Sequence, residues 1–150
     1  MEKLKIFKTR EVKDPEYGTP GSAGIDFFVP PDIGPSLLIP PSGSVLIPSG
    51  IRANVPDNMA LIAFNKSGVA TKKRLVVGAQ VVDSDYQGEI HIHVYNTGDK
   101  HVHINPGDKL VQFILLPYIH ATLEFCDTLD EVFPSNSIRG EGGFGSTNNN

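Results

Sequence analysis

The chain has 150 residues, a formal net charge of −4 at neutral pH and a single cysteine, Cys126. That length suits one domain with one core, and a lone thiol excludes an internal disulfide framework. The charge excludes a broad electrostatic footprint for nucleic acid, so an anionic ligand must be met by a few local cations, backbone N–H groups or a metal.

No apolar run has membrane-spanning length and no charged-then-apolar leader is seen, so the expected setting is soluble and reducing, cytoplasmic or nuclear, without a targeting signal. Fifteen glycines and twelve prolines cut the sequence into short apolar runs with almost no helical periodicity, which is the pattern of an all-β domain. Residues 3–7, KLKIF, read as a short alternating strand, and 14–22, DPEYGTPGS, as a turn-rich connection. In AGIDFFVP, Ile25, Phe27 and Val29 alternate with Asp26 and Phe28, placing Asp26 on a strand whose other face is apolar. Pro30, Pro31 and Pro35 close that strand, another opens at 37–39, and a third is interrupted at Pro48, as at an edge or a bulge. Residues 59–65, MALIAFN, are a buried strand by composition, and 66–74, KSGVATKKR, are the place for one short helix. Lys66, Ser67 and Gly68 fall at that strand-to-helix junction, where free N–H groups can receive a phosphate.

The stretch 78–88, GAQVVDSDYQG, is an apolar strand ending in two acids, a tyrosine and a glycine, so that a carboxylate is presented from rigid backbone beside an aromatic ring. GEIHIHVYN then alternates strictly, with Ile90, Ile92 and Val94 on one face and Glu89, His91, His93 and Tyr95 on the other. NTGDK reads as a hairpin loop from which HVHI returns, and NPGDK as a turn into a long apolar strand whose polar residue, Gln112, needs a partner or a ligand. Residues 139–147, RGEGGFGST, combine a cation, an aromatic ring, two hydroxyls and four glycines with no pattern for burial, as in an arm that waits for a ligand. About ten short strands at close spacing favour a β-sandwich or jelly roll.

Five segments, in order and over nearly the whole chain, resemble the motifs of the homotrimeric dUTP pyrophosphatases, the dUTPases. A-G-Y-D is matched by Ala23, Gly24, Ile25 and Asp26, and R-S-G by Lys66, Ser67 and Gly68. G-x-I-D-x-x-Y-x-G is matched by residues 80–88, G-D-R-x-x-Q by 107–112, and R-G-x-G-G-F-G-S-T by 139–147. The resemblance implies a jelly-roll-like distorted β-barrel, the β-clip of that family, over residues 1–136, with 137–150 as a mobile C-terminal arm closing over an active site. It implies Mg²⁺-dependent hydrolysis of dUTP to dUMP and pyrophosphate, which limits uracil in DNA and supplies dUMP for dTMP synthesis. It further implies a homotrimer whose sites draw motifs from all three chains, with no nucleic-acid or membrane partner.

Carried over residue by residue, Asp83 is the general base that deprotonates a water attacking the α-phosphorus; standing alone it would read as a turn aspartate capping an N–H. Asp85 is no more than a hairpin cap. Tyr86 lies flat against the deoxyribose and excludes a 2′-hydroxyl by steric contact, the other reading being a core tyrosine with a satisfied hydroxyl. Val81 and His91 match positions whose backbone groups read the uracil edge. Ser67, Gly68 and Gln112 match phosphate contacts, and Asp26 an acid that reaches Mg²⁺ through water, the ion itself being held mainly by substrate phosphates. Arg139, assisted by Lys66, neutralises the leaving pyrophosphate. Phe144 stacks over the uracil, and Gly145, Ser146 and Thr147 meet the phosphates.

Three positions depart from the family pattern: Lys66 replaces a bidentate arginine by a point charge, Gln80 a glycine and Asn65 a proline. His91, His93, His101 and His103 would share one face of a two-stranded ribbon, either a transition-metal site or a polar face. Other functions compatible with the residues are a nucleotide-sensing regulator on the same fold, a dCTP deaminase, which needs a glutamate poised at the base, and a cupin-like metal-binding jelly roll.

Overall fold

The computed structural model describes residues 3–143. Turn residues divide it into eleven strands: β1 (Lys5–Lys8), β2 (Glu16–Tyr17), β3 (Ile25–Asp26), β4 (Leu37–Ile39), β5 (Ser44–Asn54), β6 (Met59–Asn65), β7 (Leu75–Val77), β8 (Val81–Val82), β9 (Ile90–Asn96), β10 (Val102–Ile104) and β11 (Val111–Pro117). They pair antiparallel in three sheets, ordered β1-β5-β9-β7, β2-β3-β11-β6-β8 and β10-β4. The result is a jelly-roll-like β fold.

Alternation decides what each strand buries. In β9 the inward Ile90, Ile92 and Val94 are almost wholly covered, and they meet Ile47, Ile51, Leu61, Val111 and Phe113 in one core cluster. Phe27 and Phe113 stack within it with ring centroids 4.4 Å apart. Each such side chain contributes about 1.5–3 kcal/mol when taken from water. The stretch 24–30 departs from the expected single apolar face: it is buried on both sides, Phe28 as well as Phe27, because only residues 25–26 lie in a sheet and the rest runs through the interior.

β5 holds two neighbours in succession. Its first half pairs with β9, its last four residues with β1, and the register shifts between Pro48 and Ile51. Pro48 has no N–H to donate, and it sits in the part of β5 that β1 does not reach, so its cost is small. Gly50 completes the bulge with φ +77°, and a Cβ there would come within 2.9 Å of both Arg10 and Val12.

The returning segment does not pair with β9 as the hairpin reading required. β10 lies on β4, with Val102 opposite Ile39 and Ile104 opposite Leu37. Both flanks of β9 are already taken by β5 and β7, and the buried Asn96 amide steers the chain away. Its Nδ2 donates to the carbonyls of Ile39, Pro40 and Lys100 at 2.8–3.1 Å, tying the loop to the end of β4. The four histidines therefore do not share a ribbon: His91 and His93 stand on one sheet, His103 on another.

The helix after β6 is a single wide turn, Val69–Lys73, entered by the bonds from Ala70 N to the Lys66 carbonyl and from Thr71 Oγ1 to that of Ser67. A second, one-turn α-helix, Leu129–Val132, starts at the N-cap Thr128, which accepts from Glu131 N at 3.4 Å. The chain packs as two units, one through Ile119 and one from His120. No helix among the described residues is long and apolar enough to cross a membrane.

Candidate active site

Two groups of the expected residues come together, at opposite ends of β6. At its C-terminal end the central strands of the larger sheet set Asp26 on β3 opposite Gln112 on β11, and Gln112 opposite Phe64 on β6. Lys66 follows immediately, and its ammonium bonds Asp26 Oδ1. Lys109 takes Asp26 Oδ2 at 3.1 Å. Asp26 is 3% exposed; a carboxylate so buried requires the cations it has. Gln112 donates from Nε2 to the Asn65 carbonyl at 2.9 Å. Ser67 and Gly68 are exposed beside this cluster at the start of the helical turn. Lys109 was not singled out from the sequence, although it occupies the basic position of the fourth motif and shares Asp26 with Lys66.

Gly24 is the tight point of this end. A Cβ there would lie 2.8 Å from Gln112 Cβ and overlap the end of that side chain as well. Gly24→Ala is expected to destabilise the fold by about 1–3 kcal/mol through overpacking and to turn the Gln112 amide away from Asn65. Urea unfolding checks the first, and the KM for the triphosphate that the motif resemblance implies checks the second.

The other group surrounds a cleft of about 190 Å³ lined by residues 79–83, Tyr86, Glu89, Ile90, His91 and Phe113. β8 is held on β6 by the pairs Leu61–Val82 and Ile62–Val81, and Ala63 N bonds the Gln80 carbonyl. Antiparallel ladders alternate, so the backbone N–H and C=O of Val81 face away from β6. On the cleft's other wall β7 pairs only with residues 94–96 of β9, and Gly78 N reaches the His93 carbonyl at 2.9 Å. His91, two residues earlier, turns its backbone groups the same way. Val81 and His91 thus direct main-chain donors and acceptors into one gap that no strand fills among the described residues.

Asp83 follows the last residue of β8. Its carbonyl closes the turn by accepting from Tyr86 N at 3.2 Å, while its carboxylate has no partner among the described residues and lines the cleft. It is not a capping aspartate. Asp85 is exposed and does not line the cleft. Tyr86 is 43% exposed, with its hydroxyl donating to the Glu89 carbonyl at 2.8 Å, so the ring is fixed without being a core residue. Glu89 is held by Arg10, whose guanidinium also bonds Asp32. Hydrogen bonds to Asp32 and then Glu89 raise Arg10 above its ordinary pKa.

The two groups do not meet within one chain. Asp83 falls beside Ala60 at the start of β6 and Lys66 just past its end; six residues of strand separate them by about 20 Å. Arg139 belongs to the second unit, exposed, with Nε bonded to the Gly142 carbonyl at 2.6 Å in its own turn. Phe144, Gly145, Ser146 and Thr147 lie outside the described residues.

A cleft lined by a carboxylate without partner among the described residues and by open backbone edges, and a separate cluster of lysines, serine and amide, are the features of a nucleotide-binding β protein. Comparison with known proteins is specific. The chain belongs to the dUTPase family, whose family model, described as dUTPase, matches residues 10–148. The deoxyuridine 5′-triphosphate nucleotidohydrolase of Legionella pneumophila is 37% identical over 150 residues, covering 96% of this chain and 94% of that one. That of Shewanella woodyi is 40% identical over 148 residues, covering 95% and 93%. Among solved structures, the dUTPase of Staphylococcus bacteriophage 80alpha with dUPNHPP superposes with a TM-score of 0.83 over 97% of this chain and 98% of that one, at 21% identity. The dUTPase of phage phi11 of S. aureus, whose structure details the coordination of a structural Mg(II) ion, gives a TM-score of 0.75 at 20% identity over 86% of this chain and 99% of that one.

Proposed function

We propose that the protein hydrolyses dUTP to dUMP and pyrophosphate. The observation that carries this reading is the pairing, on one hairpin, of the Asp83 carboxylate, which has no partner among the described residues, with the Tyr86 ring, beside the open backbone edges of Val81 and His91. Uracil presents a fixed pattern of donors and acceptors, which main-chain groups read without side chains. The Tyr86 ring, held through its hydroxyl, packs on a sugar that lacks a 2′-hydroxyl and leaves no room for one that has it. Asp83 takes a proton from water as the water oxygen bonds to the α-phosphorus, and the bond from that phosphorus to the bridging oxygen breaks to release pyrophosphate.

Lys66, Ser67, Gly68 and Gln112 hold the phosphates. The donor set suits Mg²⁺ carried by the substrate: Asp26 has both oxygens on lysines, and no group of three or more His, Cys, Asp or Glu converges among the described residues. Such a site supplies an outer contact through water rather than a cage. Bound with the substrate, Mg²⁺ neutralises the charge that develops on the leaving pyrophosphate. Residues 137–150 act as the arm, with Arg139, Phe144, Gly145, Ser146 and Thr147 closing on the nucleotide.

Because Asp83 and Lys66 lie too far apart along β6 to serve one nucleotide, the reading requires a second chain at each site, and a homotrimer satisfies it with threefold closure. The exposed Ile119, Leu123 and Phe125 are apolar surface suited to a neighbouring copy. The deaminase reading finds no support: the cleft's glutamate, Glu89, has both oxygens engaged, by Gly50 N and Arg10.

Pyrophosphate release from dUTP, UTP, dCTP and dTTP, each with Mg²⁺, tests the proposal. dUTP alone is expected to turn over; equal turnover of UTP removes the sugar gate, and ammonia from dCTP replaces the reaction.

A further inference from the structure

Glu89 ties together several parts of the cleft, with both side-chain oxygens engaged away from Asp83. Its side chain, 19% exposed, accepts from Gly50 N at 2.6 Å through Oε1 and from Arg10 at 2.7 Å through Oε2. Its carbonyl accepts the Tyr86 hydroxyl at 2.8 Å and lies 2.9 Å from His91 Nδ1. The first pair of contacts ties the hairpin to the bulge of β5; the second fixes the ring at the sugar wall and the imidazole beside the base-reading backbone.

Among the described residues, one other side-chain bond ties this turn to β5. β8 is two residues long, and no ladder pair is made between it and Ile90. The turn closes on itself through Tyr86 N, and its remaining outside tie is from Arg52 Nε to the Gln87 carbonyl at 2.5 Å. The anchor is itself fixed. Gly50 has the left-handed backbone that aims its N–H at Glu89 and permits close approach to Arg10. Arg10 is held from its other side by Asp32 at 2.9 Å. An ion pair partly withdrawn from water, with one carboxylate oxygen on a main-chain N–H, has little freedom to reorient.

We propose that Glu89 is a positioning residue for substrate selection: through its carbonyl it sets the Tyr86 ring against the sugar, and the Arg10–Gly50 anchor sets Glu89. This rests on the dUTP-hydrolase reading above. Loss of the anchor lets the ring swing from the sugar wall, which admits a 2′-hydroxyl, while Asp83 at the end of β8 keeps its place on β6.

The test compares kcat and KM for dUTP and UTP in the full-length protein and in Glu89→Ala, Glu89→Asp and Glu89→Gln, well below their melting temperatures. Glu89→Ala and the shorter Glu89→Asp are expected to lower the dUTP-to-UTP ratio of kcat/KM by about tenfold to a hundredfold, the scale of a displaced positioning group. Most of the loss falls on KM for dUTP. Glu89→Gln keeps an acceptor for Gly50 N and is expected to restore the ratio to within a few-fold of the parent. Tyr86→Phe, which removes only the hydroxyl bond, should be non-additive with Glu89→Ala in that ratio. Unchanged ratios in folded Glu89→Ala or Glu89→Asp, with lowered melting temperature alone, overturn the proposal; should the alanine variant fail to fold, the aspartate variant decides. A parent that fails to cleave dUTP overturns the functional reading instead.

Discussion

Asp83→Asn is expected to lower kcat for pyrophosphate release from dUTP by about 10²–10⁴-fold, the range for loss of a positioned general base, and to leave nucleotide affinity within a few-fold. The side chain has no structural duty: its carboxylate bonds nothing among the described residues, and the turn is closed by its carbonyl. Asparagine has the same shape, so thermal stability should stay within about 0.5 kcal/mol, as for surface changes away from special features. The measurement is steady-state turnover beside calorimetric binding of a non-hydrolysable dUTP analogue. A variant that turns over normally removes Asp83 from the chemistry; one that neither binds nor unfolds cooperatively means that the residue shapes the hairpin.

Co-expressed Asp83→Asn and Lys66→Met chains are expected to recover activity that neither has alone. On the proposed function Lys66→Met takes away a phosphate clamp, with an expected loss of about 10²–10³-fold by analogy with other charge-stabilising donors, and Lys109 remains to hold Asp26. If every site takes its hairpin from one chain and its lysine cluster from another, random assembly at equal amounts makes about one site in four intact at both. Activity should then approach about a quarter of the parent's. The separation of the two clusters along β6 gives the reason: neither variant damages the half-site its partner needs. Activity of the mixture no higher than the mean of the two variants would mean that each chain builds its site alone.

How much of this was legible beforehand depended on distance along the chain. The alternation of residues 88–96, the break at Pro48 and the acid at the end of residues 79–82 are local patterns, and each became the element its period or its breaker implies. The partner of β10 was not legible, because adjacency in sequence favours a hairpin on β9 and only the tertiary bonds of Asn96 redirect it. Residues Thr128 and Glu131 carried a helix-start signal that was overlooked beside the stronger strand patterns. At the site, the motif residues were readable as candidates, whereas the partners of Lys109, Arg10 and Glu89 lie tens of residues away in the sequence. A carboxylate's identity is local; what neutralises it is not.

The pairing of β3 with β11 has a consequence for how the protein is made. Asp26 emerges first, Lys109 and Gln112 follow more than eighty residues later, and the sheet between them cannot close before they arrive. Contacts of such span make folding slow, and a nascent chain holds a buried-to-be carboxylate with only Lys66 to meet it. No ribosome-bound fragment short of β11 can possess the full cluster of Lys66, Lys109 and Gln112 around Asp26, so this surface forms only once β11 has emerged.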